Sequence, residues 1–342
     1  MDRVVIVGGG VLGVMHAVAA RRRGLDVVHL EREAAARGAS LRNFGLIWVS
    51  GRAAGPELAL ALRARRLWED LAAEVPGVGF RPHGSLTIAV SEAELALLTE
   101  AAARPDAAER GYELLDAPAA REVNPALRGS FAGALWCHRD AIVEPRQAPA
   151  AIRDHTGDWH RADLVIVCTG AAHTGIAGPH LAGYQLPPVR RVRLQMLQTE
   201  PFAGRLTTSV ADGDSLRYYP AYDLPGRDRL PPQAPAAAAV AAQLLLVQRL
   251  DGSLTIGDTH AYDEPFAFDL DEAAYDHLRD RAGRLLGTAL PPTRRRWAGV
   301  YSQATTGELY HRSSVAPGVV LVTGPGGRGM TCAPAIAEES FA

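Results

Sequence analysis

The chain has 342 residues, of which 47% are hydrophobic and 22% charged, a composition that excludes wholesale disorder and fits about two globular domains. Its 36 basic and 38 acidic residues leave a formal net charge of −2, so no global field draws it to nucleic acid or to an anionic membrane. The sequence contains no lysine, which excludes any lysine Schiff base and makes every fixed side-chain cation an arginine. The three cysteines, Cys137, Cys168 and Cys332, lie far apart and form no metal-ligand spacing, and a reducing cytoplasm is the expected location.

Arg3 to Val7 (RVVIV) is a short β-branched run ending at a glycine cluster, the pattern of a buried parallel strand. Val11 to Arg23 reads as a helix closed by Gly24, and Leu25 to Glu31 as a second strand, which completes a βαβ unit. Although Val4 to Ala20 is apolar, the glycines and His16 inside it and the arginines after it argue against a secretory segment. No run approaches the length of about 20 apolar residues that a membrane span needs.

Further along, Glu57 to Val75 and Ser91 to Arg104 predict helices, and Gly79 to Val90 predicts strands. Val123 to Ala141 has antiparallel texture, and Ala162 to Cys168 predicts a buried strand ending at Thr169-Gly170. From Pro187 to Ile256 the segments VRRVRLQMLQTE, SLRYYPAY, QLLLVQRL and SLTIG predict antiparallel strands, with a Pro/Ala-rich loop or short helix at Pro231 to Ala242. Asp271 to Leu286 is an amphipathic helix. Strands follow at Arg295 to Tyr301 and Val319 to Val322, then a final helix beginning near Thr331.

The first motif with chemical content is Gly8-x-Gly10-x-x-Gly13 between a strand and a helix. Gly8 permits the tight turn, Gly10 lets the backbone approach a pyrophosphate, and Gly13 lets helix and strand pack closely. The helix start favours an anion, and Glu31 at the end of the second strand suits a ribose hydroxyl pair. An acid there disfavours a 2′-phosphate, so the motif leaves FAD or NAD open.

Glu31-Arg32-Glu33, Gly38-Ala39-Ser40, Arg42-Asn43-Phe44-Gly45, Thr169-Gly170 and Gly324-x-Gly326-Gly327-x-Gly329-Met330-Thr331 follow in an order that resembles the flavin-dependent amine and amino-acid oxidase family, which includes D-amino-acid, glycine and sarcosine oxidases. The resemblance covers nearly the whole chain. It implies an α/β fold: a discontinuous Rossmann-like FAD-binding domain (residues 1–80, 141–180 and 300–342) with an inserted α+β antiparallel-sheet substrate domain (81–140 and 181–299). It implies FAD contacts at Gly8, Gly10, Val11, Leu12, Gly13, Glu31, Arg32, Gly38, Ala39, Ser40, Arg42, Asn43, Phe44, Gly45, Thr169, Gly170, Gly324, Gly326, Gly327, Gly329, Met330 and Thr331. Gly299 stands where sarcosine oxidases carry a flavin-linking cysteine, so the FAD is expected to be non-covalent. The segment 151–165 is shorter than its counterpart in the family.

By the same resemblance His260 and Tyr301 are candidate catalytic residues, and Arg42, Trp48, Arg217, Tyr219 and Arg296 candidate substrate-binding residues. Arg42-Asn43-Phe44-Gly45, Tyr218-Tyr219-Pro220-Ala221 and Gly257-Asp258-Thr259-His260 are similar to a bacterial subgroup associated with aminophosphonate breakdown. The implied reaction is hydride loss from the carbon beside an amine to the flavin, imine hydrolysis, and reoxidation by oxygen or another acceptor. The expected partner is a small amine, with no nucleic acid, membrane or metal involved. A glycine, sarcosine or D-amino-acid oxidase, an NAD-dependent dehydrogenase and a non-catalytic flavoprotein are the alternatives.

Overall fold

A computed structural model describes residues 1–33, 36–152, 162–172 and 187–342. The expected short segment at 151–165 therefore lies largely outside the described residues.

A five-stranded sheet is built from β1 (Arg3–Val7), β2 (Asp26–Leu30), β8 (Leu164–Val167), β14 (His311–Ala316) and β15 (Val319–Thr323), in the order β14-β15-β8-β1-β2. β1 lies in the middle, parallel to β2 on one side and β8 on the other, and Val4, Val5 and Ile6 are buried. This is why its sequence is continuously apolar rather than alternating. Helix α1 (Val11–Arg22) follows β1 and packs with α2 (Pro56–Glu74) and the C-terminal helix α5 (Gly329–Glu339) into one apolar core.

Pro334 stands inside α5 and has no N–H to return to the carbonyl four residues earlier, Met330. The indole of Trp68 on α2 supplies that donor instead, its Nε1 reaching Met330 O at 3.0 Å. The buried carbonyl is thereby satisfied from the neighbouring helix.

An eight-stranded sheet contains β4 (Ser85–Ala89), β5 (Tyr112–Asp116), β6 (Gly133–Cys137), β9 (Val189–Pro201), β10 (Ser209–Ala211), β11 (Leu245–Gln248), β12 (Ser253–Gly257) and β13 (Thr293–Ala304), in the order β13-β9-β12-β11-β10-β4-β6-β5. Helix α4 (Glu272–Leu286), capped by Asp271, buries Tyr275, Leu278 and Leu285 in the core that includes β12 residues Leu254 and Ile256. Helix α3 (Glu92–Ala102) starts with a Ser91/Glu94 capping box and contributes Leu97 and Leu98 to a further core. A short antiparallel pair, β3 (Leu46–Ile47) with β7 (Ala141–Ile142), accompanies the two sheets.

Several local expectations are corrected. SLRYYPAY is a helical turn at Ser215–Tyr218 and a 3-10 turn at Pro220–Tyr222, because Asp212 Oδ1 takes the Asp214 N–H and Pro220 lacks a ladder donor. Of Gly79 to Val90 only Ser85–Ala89 forms a strand, and between Val123 and Ala141 the strand is Gly133–Cys137. The β10–β4 pair is parallel within the otherwise antiparallel sheet. β5 and β14 were not anticipated; both are edge strands with exposed residues, which dilutes their apolar periodicity.

Candidate active site

A cavity of about 1240 Å3 opens at the carboxyl ends of β1, β2 and β8, where a parallel sheet presents its loops, and extends to residues of β9, β11 and β13. It exceeds the roughly 300–1,000 Å3 that holds a drug-sized ligand. Among the described residues no cluster could hold a metal ion, and no helix is long and apolar enough to cross a membrane.

At the β1–α1 end the cavity wall is backbone. Gly8 has φ +114, and a Cβ there would stand 2.4 Å from Cys168 O; a Cβ on Gly13 would stand 1.8 Å from Gly8 O. No other residue fits either position. His29 Nε2 approaches Gly8 O at 2.8 Å from beneath, and Ser40 Oγ accepts from Val11 N at 2.8 Å at the start of α1. Glu31 accepts from Gly9 N at 2.5 Å and from Glu33 N at 3.0 Å, so its carboxylate braces the glycine loop while it lines the cavity. Asn43 folds its own loop, donating to Ala39 O and Ser40 O and accepting from Gly45 N.

These residues fit a dinucleotide. The glycine cradle is closed to any side chain, an acid stands at the end of β2, and the buried Thr169 Oγ1 has no partner among the described residues. Residues 8–12 could hold the pyrophosphate, Glu31 a ribose, and the Gly326–Thr331 segment the flavin ring. At Gly327 the Tyr218 and Tyr301 hydroxyls converge, 3.7 and 3.9 Å from where a Cβ would stand. Burial raises both phenols above the ordinary tyrosine value, so they stay protonated at neutral pH.

The far end carries rings and charges. Trp48 and Tyr219 lie 5.8 Å apart, Tyr218 meets Tyr219 edge-on at 5.0 Å, and Tyr218 stacks on His260 at 4.3 Å. Arg52, only 5% exposed, lines this end; its Nε donates to Trp48 O at 2.8 Å, and its Nη2 lies 3.5 Å from Thr331 Oγ1. Glu57 stands 3.5 Å from Arg52 and 2.9 Å from Arg328. Burial alone would raise the Glu57 carboxyl, but these two guanidinium groups hold it below the usual range.

The turn carrying Trp48 and Arg52 is fixed from below. Asp140, fully buried, accepts from Val49 N at 2.6 Å, Ser50 N at 3.0 Å, and the Ser50 and Ser85 hydroxyls, both at 2.6 Å. Arg110 donates to Arg52 O at 2.8 Å and Ser50 O at 3.3 Å.

Most residues expected from the sequence meet at this cavity. Gly8, Gly10, Val11, Leu12, Glu31, Arg32, Gly38, Ala39, Ser40, Arg42, Asn43, Phe44, Thr169, Gly170, Gly326, Gly327, Gly329, Met330 and Thr331 line it, as do Trp48, Arg217, Tyr219, His260 and Tyr301. Gly13, Gly45 and Gly324 do not; they shape the backbone behind it.

Arg296 lies outside the cavity, with its guanidinium 3.3 Å from Glu272 and over the Tyr275 ring. Arg217 lines the wall, but its Nη1 is engaged by Gly213 O and Asp214, both at 3.2 Å, and its Nη2 by Pro231 O. Arg42 donates to Ala298 O at 2.9 Å. Sequence reasoning passed over Arg52 and Gln243, and quoted Asp258 within Gly257-Asp258-Thr259-His260 without giving it a role. The available signal for Arg52 was one charge in an otherwise apolar and small-residue stretch, Leu46 to Gly55.

The family described as DAO, FAD dependent oxidoreductase, matches residues 3–156 and 148–340. The tRNA 5-methylaminomethyl-2-thiouridine biosynthesis bifunctional protein MnmC of Maricaulis maris (strain MCS10) is 29% identical over 351 residues, covering 98% of this chain and 51% of that protein. The chain thus spans about half the length of this curated relative. Glycine oxidase from Geobacillus kaustophilus superposes with a TM-score of 0.75 at 20% identity, over 98% of this chain and 93% of that one. Iminodiacetate oxidase from Chelativorans sp. BNC1 gives 0.72 at 20% identity, over 98% and 93%. With the two sheets, the glycine cradle and nearly the whole chain matched, the protein belongs to the DAO family of FAD dependent oxidoreductases.

Proposed function

We propose that the chain oxidises a carbon–nitrogen bond of a small amine that also carries an acid group, with an aminophosphonate such as 2-aminoethylphosphonate or its N-methyl derivative as the substrate. What carries this reading is Arg52, a buried arginine at the aromatic end of the cavity, held by Trp48 O and shared with Glu57. A guanidinium fork binds a phosphonate or carboxylate through paired charged hydrogen bonds. Glycine oxidase and iminodiacetate oxidase, which share the fold, are both named for amines that bear an acid group.

FAD, when bound, supplies the two-electron acceptor for the hydride. The rest falls to this chain. Arg52 fixes the acid group, and Trp48, Tyr218 and Tyr219 shield the reacting carbon from water. His260 Nδ1 donates to Ala241 O at 3.1 Å, which leaves Nε2 as the nitrogen free to take the amine's proton. Water then hydrolyses the resulting imine to a carbonyl compound and ammonia, or an amine where the nitrogen carries an alkyl group. Oxygen is the proposed final acceptor and the cytoplasm the proposed location.

The test is the visible spectrum of the FAD-loaded protein before and after anaerobic addition of 2-aminoethylphosphonate, its N-methyl derivative, glycine or sarcosine. Bleaching by the phosphonates is the expected result, with Arg52→Gln lowering kcat/KM roughly 10- to 100-fold, the worth of a charge-assisted bond. Bleaching by glycine or sarcosine alone assigns the same site to an amino-acid oxidase. A flavin spectrum untouched by all four overturns the reading.

A further inference from the structure

One buried carboxylate at the aromatic end has no part in the chemistry above. Asp258 directly follows β12, lines the cavity, and has a side chain only 8% exposed. Its contacts are sparse for a buried acid: Oδ1 accepts from Gln243 Nε2 at 3.2 Å, and Oδ2 stands 3.9 Å from His260 Nε2. Among the described residues no arginine pairs with it, whereas Glu57 is shared by two.

His260 does not neutralise it in the uncharged ring. With Nδ1–H given to Ala241 O, Nε2 carries a lone pair and offers Asp258 no donor. Beside it, Gln243 Oε1 is buried without a hydrogen-bond partner among the described residues. Asp258 has one donor and Gln243 Oε1 none among the described residues, and a buried acceptor without a donor is costly until a ligand provides one. Around them lie the Tyr218 ring, stacked on His260, the Tyr219 ring edge-on to it, and Tyr262, 6.3 Å from His260. Ring faces beside a carboxylate attract an alkylated cation, which binds through charge and through the rings' negative faces.

The opposite charge is across the same rings. Arg52 is bonded to Trp48, Trp48 lies against Tyr219, Tyr219 against Tyr218, Tyr218 on His260, and His260 beside Asp258. The wall of rings thus carries a guanidinium at one end and a carboxyl group at the other.

We propose that Asp258, with Gln243 Oε1 and the Tyr218 and Tyr219 rings, is the alkylammonium-recognition site of the cavity, so that the substrate is bound as a zwitterion between Asp258 and Arg52. The naming of the substrate rests on the amine-oxidation reading; the cation site itself does not require turnover.

The experiment measures affinity through perturbation of the flavin spectrum in the FAD-loaded wild type, Asp258→Asn and Tyr218→Leu, with retained flavin absorption as the check on folding. The ligand pairs are 2-aminoethylphosphonate with ethylphosphonate and glycine with acetate. Tetramethylammonium is added as a cation that has no nitrogen lone pair and cannot be oxidised. The wild type is expected to bind the amino member of a pair at least about 10-fold more tightly, and Asp258→Asn to bring the two within about twofold without weakening the deamino ligand. Tyr218→Leu is expected to weaken tetramethylammonium about 5-fold or more.

An amine preference that survives in Asp258→Asn overturns the proposal, even if amines bleach the flavin and the oxidation reading stands. Asp258-dependent binding of tetramethylammonium with no amine bleaching the flavin supports the cation site while the oxidation reading fails. A wild type that binds no cation overturns the site.

Discussion

His16 sits inside α1 with no exposed surface, its Nδ1 2.7 Å from Leu12 O and its Nε2 2.9 Å from Ser340 Oγ. Burial disfavours the imidazolium and lowers the pKa from 6.5 to about 4. The folded state therefore binds the proton less readily than the unfolded chain. Stability is complete above pH 6.5 and is lost as the pH falls toward 4, by roughly 2 kcal/mol at pH 5 and roughly 3 kcal/mol at the lower end. Urea midpoints at pH 7 and pH 5 should show this drop, and His16→Asn should remove most of it; an equal drop in the variant would refute the assignment. The glycine cradle could be read from sequence because strand, glycine spacing and terminal acid are all local. The roles of Arg52 and Asp258 could not, since the lone charge at 52 and the Gly257-Asp258-Thr259-His260 run carry neither the burial nor the partners across the cavity that mark these two residues.

Between elements, the Trp68–Met330 bond repairs the gap left by Pro334 and joins α2 to the start of α5. Trp68→Phe is expected to cost about 1–3 kcal/mol, because the Met330 carbonyl stays buried with no donor. Pro334→Ala, which restores the helix's own N–H, should cancel part of that cost. A double-mutant cycle by denaturant unfolding measures it, and strict additivity would overturn the pairing. The same scale shows what the sequence reveals of the fold. β1, β2, β8, α1, α2 and α4 were legible, because buried strands are continuously apolar and the helices carry start and stop residues. The edge strands β5 and β14 carry no such signal, and at Ser215–Tyr222 aromatic β-propensity lost to the Asp212 side chain and Pro220.

Across the whole molecule, the cavity touches both large sheets, so a ligand that fills it binds the folded chain and not the unfolded one. Free FAD at about 100 times its Kd should add roughly 3 kcal/mol to stability and raise Tm by several degrees. A melting temperature indifferent to FAD concentration in the flavin-free protein would contradict a cofactor site of this reach.

The order of strands in the five-stranded sheet has a consequence for biosynthesis. β1 is made first, yet one neighbour, β8, begins at Leu164, and the next strand out, β15, ends at Thr323. The cavity wall then needs Gly326 to Thr331, and α5 must close over α1 and α2. A ribosome therefore adds the whole stretch from Gly13 to Gly326 before the glycine loop and the Gly326–Thr331 wall can meet. Cofactor capture then tests whether two parts of the chain far apart in sequence have met.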